Sequence, residues 1–123
     1  MGQFMIRRVA TGMKFDLKAG NGEVIATSEV YASEAACRRG MESVVKCAAA
    51  KKVEDQTDGG FQTLTNPKFE LYTDKRGQFR FRLRSRNGKI LISSEGYTTK
   101  AACLGGIESV IENASAPTAF SPR

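Results

Sequence analysis

The chain contains one stretch of sequence twice, and this repeat constrains the fold more than any other feature. The block 21–44 reappears as the block 87–110, with a constant offset (103 − 37 = 66, 88 − 22 = 66) and no gap. The matched positions include Asn-Gly, Ser-Glu, Tyr, Ala-Ala-Cys and Glu-Ser-Val. A match of this length does not arise by chance, so the chain holds two copies of one structural unit.

The size and composition describe an ordinary globular protein. With 123 residues, 41% of them apolar and 26% charged, the chain can bury a core without a disulfide or a metal. Three cysteines without paired spacing argue against a secreted disulfide framework. Neither a signal sequence nor an apolar segment of membrane-spanning length is visible in the sequence. We therefore expect a cytoplasmic protein with no membrane association.

Each copy of the repeat predicts three strands followed by a helix. Residues 13–18 and 79–84 alternate between apolar and charged side chains, which is typical of half-buried strands. The Asn-Gly pairs at 21–22 and 87–88 predict tight hairpin turns in which both residues tolerate positive φ. Ser33 and Thr99 stand where helix N-caps are expected, and beyond them the apolar residues recur with the helical period.

The units are too small to seal a core alone, so we predict that they share one. The expected fold is α+β: tandem βββα(β) repeats with pseudo-twofold symmetry, forming one antiparallel sheet with two helices on one face. Short additional strands are expected at 53–55 and 118–120. The predicted units are a first repeat at 1–58, a linker at 59–66, a second repeat at 67–114 and a C-terminal tail or short strand at 115–123. Two independent beads on a linker are the alternative.

The string Phe-Glu-Leu-Tyr, Asn-Gly, Ser-Glu-Gly-Tyr, Ala-Ala-Cys and Gly-Ile-Glu-Ser-Val of the second copy resembles the YegP-like family of uncharacterised bacterial proteins. The resemblance covers about residues 3–56 and 67–114. It implies a unit whose last strand swaps onto the partner half. The first copy departs from the family pattern at Val30, where Gly is usual, and its opening strand and turn are one residue short. The resemblance brings no activity and no catalytic residues.

Reactive side chains do not form a convincing site in the sequence. Cys37 and Cys103 fall on the apolar helical faces, and the chain has no histidine, so we predict buried, unreactive thiols without a metal or cofactor. The repeated Ser-Glu-x-Tyr motif at 28–31 and 94–97 is predicted to satisfy helix amides and to anchor the helix by its Tyr. Gly40 and Gly106 on the helical faces predict a close backbone approach.

An arginine row on one strand is the remaining candidate site. Four arginines project from the side of the strand opposite Phe79, Phe81 and Leu83, and an aromatic ring on the neighbouring strand can face the same way. A sheet face of this kind can bind single-stranded nucleic acid through phosphate contacts and stacking, while a solvated outer face, partly neutralised by Glu70, is the simpler interpretation. The predicted nucleic-acid-binding residues are Tyr72, Arg80, Arg82, Arg84 and Arg86.

The sequence leaves the function open between three classes. We expect a non-enzymatic structural or interaction module with an unknown protein partner, acting as a monomer with an internal pseudo-dimer. Low-specificity nucleic-acid binding, for which the net charge of +6 is permissive, is the second class. Partner binding would be favoured by an exposed apolar patch. An enzyme, the third class, would need a pocket between the helices lined by Glu42, Glu108 or the cysteines.

Overall fold

The computed structural model describes residues 3–115 and 120–121, with side chains described for 3–114. In each repeat three strands are followed by a helix and then by a further strand. The elements are β1 (Gln3–Val9), β2 (Gly12–Lys18), β3 (Val24–Ser28), α1 (Glu34–Ala48), β4 (Val53–Asp55), β5 (Lys68–Thr73), β6 (Phe79–Arg84), β7 (Ile90–Ser93), α2 (Lys100–Ser115) and β8 (Phe120–Ser121). The predicted α+β class and tandem repeat are thus confirmed.

Both helices begin at the predicted N-caps. The Ser33 hydroxyl accepts a hydrogen bond of 3.1 Å from the backbone N–H of Ala36. The Thr99 hydroxyl accepts one of 3.1 Å from Ala102 in the same way. Each bond satisfies an amide that the first helical turn leaves without a backbone acceptor. The change from strand to helix therefore falls at equivalent residues in the two repeats.

The strands form one continuous sheet in the order β4-β5-β6-β7-β3-β2-β1-β8. β4 follows the first helix but lies beside β5 of the second repeat, and β8 lies beside β1 of the first repeat. This exchange confirms the predicted strand swap. The sheet is mostly antiparallel as predicted, but its two outermost pairings are parallel, because each swapped strand reaches the other repeat after a helical crossover. Of the predicted strand at 118–120, Thr118 and Ala119 lie outside the described residues.

The two repeats meet where β3 pairs with β7. Thr27 lies directly opposite Ser93, and these residues are equivalent in the repeat (93 − 27 = 66). The pseudo-twofold axis therefore passes through this pair. A β-bulge follows Leu17 in one repeat and Leu83 in the other, so the irregularity of the sheet is repeated as well.

The helices cover one face of the sheet and join the two repeats through a common core. Phe15, Leu17, Phe81 and Leu83 are all fully buried on the helix side. The first helix also packs on β6 and β7, and the second packs on β2 and β3, so each helix contacts strands of both repeats. The buried apolar residues form a single cluster.

The hairpin turns differ from the prediction in their backbone conformation. Gly22 and Gly88 have φ values of 87° and 86°, but neither preceding Asn has positive φ. The Gly88 N–H donates to the Ser85 carbonyl, and the Ser85 N–H donates to Lys89. This loop is longer by one residue than a two-residue turn and places only its glycine in the left-handed region. The predicted hairpins are present, but they use positive φ at the glycine and not at the preceding Asn.

Candidate functional site

The arginine row lies on the outer face of the sheet, opposite the helices, but its members are not equivalent. The Arg80 Nε lies 2.7 Å from Asp74 Oδ2. The Nε atoms of Arg82 and Arg84 both approach Glu70 Oε1, at 2.6 and 2.7 Å. Three of the four predicted arginines therefore already hold carboxylates, and their charge is largely compensated within the sheet.

A buried carboxylate network lies behind these arginines. Glu54 on the swapped strand β4 is only 2% exposed and accepts hydrogen bonds from the Lys68 ammonium and the Leu64 backbone N–H. Burial acts to raise the pKa of Glu54, but hydrogen bonds from Lys68, Gln56 and Leu64 outweigh it and lower the pKa to about 2. Arg82 and Arg84 likewise hold the pKa of Glu70 below its usual value despite burial. This network connects the two repeats.

Tyr72, the predicted aromatic residue of the site, is already in contact with an arginine of the row. The guanidinium of Arg82 lies 4.4 Å from the centre of the Tyr72 ring. A base that stacked on this ring would have to displace a favourable cation–π contact. Binding of nucleic acid by these five residues stays a prediction.

Arg86 is separated from the rest of the row. It lies beyond the end of β6, in the turn that leads to β7, and its side chain is exposed. Together with Lys46 near the end of α1 it lines a cleft between the first helix and this turn. The alternating pattern that groups the four arginines ends with the strand, and Arg86 belongs to a different surface.

The serines of the repeated corner bind strand amides. Ser28 Oγ accepts from the Phe15 N–H, and Ser94 Oγ accepts from the Phe81 N–H, both at 2.9 Å. The predicted role of satisfying helix amides was wrong for these residues. They lie where the strand pairing ends, at the end away from the bulge, and supply the acceptor that the buried N–H needs there.

The tyrosines of the same corner anchor the helices as predicted, and they explain the helical glycines. A Cβ built on Gly40 would lie closer than 3.0 Å to the Tyr31 hydroxyl, and a Cβ on Gly106 equally close to Tyr97. The predicted close approach is therefore made by a tyrosine ring rather than by backbone. Each ring also stacks on a core phenylalanine, so it fixes the distance between helix and sheet.

The cysteines are buried and unpaired. Cys37 and Cys103 are fully buried, and Cys47 is 8% exposed. Burial raises the pKa of all three thiols, that of Cys103 to about 11. Within 3–115 and 120–121, no group of three or more Cys, Asp or Glu side chains could hold a metal ion.

An open groove runs along the exposed side of α2. Its volume is about 600 Å³, and its lining combines apolar side chains with three charged ones. Leu104 is 39% exposed within it. The lining residues are Lys51, Val53, Leu104, Gly105, Ile107, Glu108, Ile111 and Glu112. Of the residues named for an enzyme pocket, Glu108 lines the groove, whereas Glu42 and the cysteines do not.

Sequence reasoning missed this groove, although the repeat contains a pattern that could have revealed it. Arg38 and Arg39 of α1 correspond to Leu104 and Gly105 of α2 (104 − 38 = 66). Two adjacent charged side chains of the first helix are thus replaced by a leucine and a glycine at exposed positions of the second. Such an asymmetry between copies is the feature to search for in a tandem protein.

The described helices include none that is long and apolar enough to cross a membrane. The fold and the surfaces above define a tandem-repeat α+β protein in which each repeat completes the sheet of the other.

A family model described as "Domain of unknown function (DUF1508)" matches the chain twice, over residues 10–55 and 74–120. The chain belongs to this family.

The relatives confirm the predicted resemblance. The UPF0339 protein YegP of Yersinia pestis is 32% identical over 92% of this chain and 88% of its own. A UPF0339 protein from the ptx operon 5' region of Stutzerimonas stutzeri is 56% identical over 46 residues, 37% of this chain and 41% of the relative. The solution structure of yegP from E. coli, a protein of unknown function, superimposes with a TM-score of 0.80 at 30% identity, covering 99% of this chain and 92% of that one. No function is assigned to these relatives.

Proposed function

We propose that the protein is a non-enzymatic interaction module that binds an amphipathic helix of a partner protein in the groove along α2. In this proposal it acts in the cytoplasm as a monomer with an internal pseudo-dimer. The observation that carries the proposal is the exposed side chain of Leu104 in a groove whose lining also includes the half-buried Val53 and Ile111. Three unpaired cysteines are consistent with a reducing compartment.

The spacing of the apolar residues favours a helix as the occupant. Leu104, which is exposed, and Ile111, which is half-buried, lie seven residues apart on one side of α2, whereas Ile107 between them is buried in the core. A second helix can pack its own apolar residues beside Leu104 and Ile111. Helix-in-groove recognition uses anchors with this same spacing.

The charges of the groove define the polar side of the partner. Glu108 is exposed and lines the groove together with one cation, Lys51. A lysine or arginine beside the apolar face of the partner helix would meet Glu108, and an acidic residue would meet Lys51. The groove thus favours an amphipathic helix that carries one charge of each sign beside its apolar face.

Lys51 supports a binding role because it occupies an unfavourable backbone conformation. Its φ is 56°, in the left-handed region just after α1, where glycine is the usual residue. A side chain in this region costs about 1 kcal/mol. Retention of a lysine where glycine is more stable is explained if its side chain contributes to binding.

Affinity capture from a lysate of the source cells, followed by calorimetry with the purified partner helix, tests the proposal. The bait is compared with Leu104→Glu, which places a charge in the groove, and with Val30→Glu, which changes an equally exposed valine elsewhere. A partner helix that binds the wild type and Val30→Glu, but loses at least about tenfold in affinity for Leu104→Glu, supports the groove.

Lys51→Gly separates binding from folding. We expect it to raise the free energy of unfolding by about 1 kcal/mol because it relieves the left-handed strain. The same change should weaken binding of the partner helix. A partner that binds Leu104→Glu and Lys51→Gly as tightly as the wild type would overturn the proposal.

A further inference from the structure

The cleft beside Arg86 collects positive charge at a junction of the two repeats. Lys46 comes from the last turn of α1 in the first repeat, and Arg86 from the β6–β7 turn in the second. Their side chains are exposed and line the same cleft of about 500 Å³. The other lining residues are Ser43, Cys47, Pro67, Ser85 and Asn87.

The two cations are not neutralised locally. Among the side chains described for 3–114, neither Lys46 nor Arg86 forms an ion pair, and the lining of the cleft contains no carboxylate. This contrasts with Arg80, Arg82 and Arg84, each of which holds an acid. The C-terminal end of α1 contributes about half a negative charge, which two full positive charges outweigh.

Polar groups surround these cations. The Ser85 hydroxyl donates to the Asn87 side-chain oxygen and accepts from the Lys89 backbone N–H at 3.1 Å, which fixes the shape of the turn. Because the Asn87 oxygen is used in this way, its amide NH₂ is the end that can donate to a ligand. The Ser43 hydroxyl lines the opposite side of the cleft, on α1.

We propose that this cleft binds the phosphate group of a small molecule, with Lys46 and Arg86 as the charged donors and Ser43 and Asn87 as neutral ones. Arginine and lysine together match an oxyanion because one offers a planar fork and the other a compact charge. The pseudo-symmetric corner lacks both cations: Glu112 corresponds to Lys46 and Gly20 to Arg86 (112 − 46 = 66, 86 − 20 = 66). The chain therefore has one such site rather than two.

Titration of ¹⁵N-labelled protein with inorganic phosphate at pH 7.5, followed by amide chemical shifts, tests the site. Sodium chloride at matched ionic strength controls for general screening. We expect saturable shifts confined to the β6–β7 turn and the last turn of α1. Lys46→Ser/Arg86→Ser should bind at least about tenfold more weakly, because each lost charged hydrogen bond carries more than about 1 kcal/mol.

Lys75→Ser/Arg76→Ser is the matched control, since it removes two exposed cations from a different turn. Its net charge equals that of Lys46→Ser/Arg86→Ser. Its affinity for phosphate should equal that of the wild type. The unshifted amides of each variant report whether it is folded. Shifts that are equal in chloride, fail to saturate, or persist in Lys46→Ser/Arg86→Ser would overturn the site.

Discussion

At the scale of single residues, the hydroxyls of Ser28 and Ser94 act as hydrogen-bond acceptors where a backbone carbonyl would otherwise continue the strand pairing. Each hydroxyl accepts from a buried strand N–H and donates to the carbonyl of the following Glu. The backbone can then leave the strand pairing and turn toward the helix without an unsatisfied amide. The same device in both repeats explains why this serine recurs in the sequence.

Ser94→Ala should lower the free energy of unfolding by about 1–3 kcal/mol, because the buried N–H of Phe81 loses its acceptor. Ser93→Ala is the control: this neighbour is half-buried on the outer face, and its change should stay within about 0.5 kcal/mol. Urea denaturation measures both variants. Equal losses would show that the hydroxyl of Ser94 has no special role.

Cys47 should be the first thiol alkylated in the native protein. It is 8% exposed, whereas Cys37 and Cys103 are fully buried, and the pKa of Cys103 is raised to about 11 by burial. Limited treatment with iodoacetamide and peptide mass spectrometry gives the order of modification. Cys47→Ser should be modified much more slowly than the wild type. Simultaneous modification of all three thiols would contradict this expectation, since it would indicate reaction through global opening.

At the scale of secondary-structure elements, each helix is spaced from the sheet by a tyrosine. The rings of Tyr31 and Tyr97 occupy the room that a side chain at Gly40 or Gly106 would need. Glycine costs a helix about 1 kcal/mol relative to alanine, so it is retained twice because the ring packs there.

Gly106→Ala should therefore lower the free energy of unfolding, whereas the neighbouring change Gly105→Ala should raise it. A Cβ on Gly106 would clash with Tyr97 and approach the buried Phe81 ring, which should cost about 1–3 kcal/mol. A Cβ on Gly105 meets no atom within 4 Å and should stabilise α2 by up to about 1 kcal/mol. Thermal or urea unfolding measures the stability of each variant relative to the wild type. Stabilisation by Gly106→Ala would contradict the spacer role of the tyrosine.

The swapped strand β4 is held by an ion pair whose strength depends on pH. Glu54 has its pKa lowered from 4.5 to about 2 by Lys68, Gln56 and Leu64 despite burial. A depressed pKa contributes stability above the unfolded value, which is lost as pH falls from about 4.5 to about 2.

Glu54→Gln should lower the free energy of unfolding by about 2 kcal/mol at pH 7, because Lys68 keeps a buried charge with one partner fewer. The difference from the wild type should shrink as pH falls from about 4.5 toward 2, because the wild-type carboxylate loses its favourable ionisation over this range. Urea denaturation at several pH values measures it, with exposed Glu29→Gln as the control. A difference that stays constant with pH would contradict this expectation.

At the scale of the whole molecule, the repeats exchange strands and share a core. Strand β6 contacts both helices, so a substitution that weakens its packing should destabilise both repeats. Leu83→Ala, at a fully buried position of β6, should lower the free energy of unfolding by about 2–5 kcal/mol. Amide signals from the two repeats should disappear at one urea concentration. Loss of the second repeat before the first would instead favour two independent beads.

Much of this architecture could be predicted from the repeat, because a period of two followed by a helical period and a cap residue specifies local structure. The N-caps at Ser33 and Thr99 were predicted correctly in this way, whereas the strand swap was implied by the family resemblance. The parallel outer pairings and the spacing role of Tyr31 and Tyr97 were not predicted, since both depend on contacts between distant residues.

The candidate site was less predictable than the fold. Alternation placed Arg80, Arg82 and Arg84 on one face. The expected partial neutralisation by Glu70 is present at Arg82 and Arg84, but the ion pair of Arg80 with Asp74 was not predicted, since Asp74 lies in the turn after β5. Alternation also could not show that Arg86 leaves the strand and lines the same cleft as Lys46.

The exchanged strands have a consequence for how assembly depends on protein concentration. Each repeat is completed by a strand from the other, and the linker of about ten residues holds the two at an effective concentration in the millimolar range. Completion of the sheet is then an intramolecular step, and dilution does not reverse it. A protein built in this way can keep its native form at a few copies per cell, a concentration at which two separate repeats would dissociate.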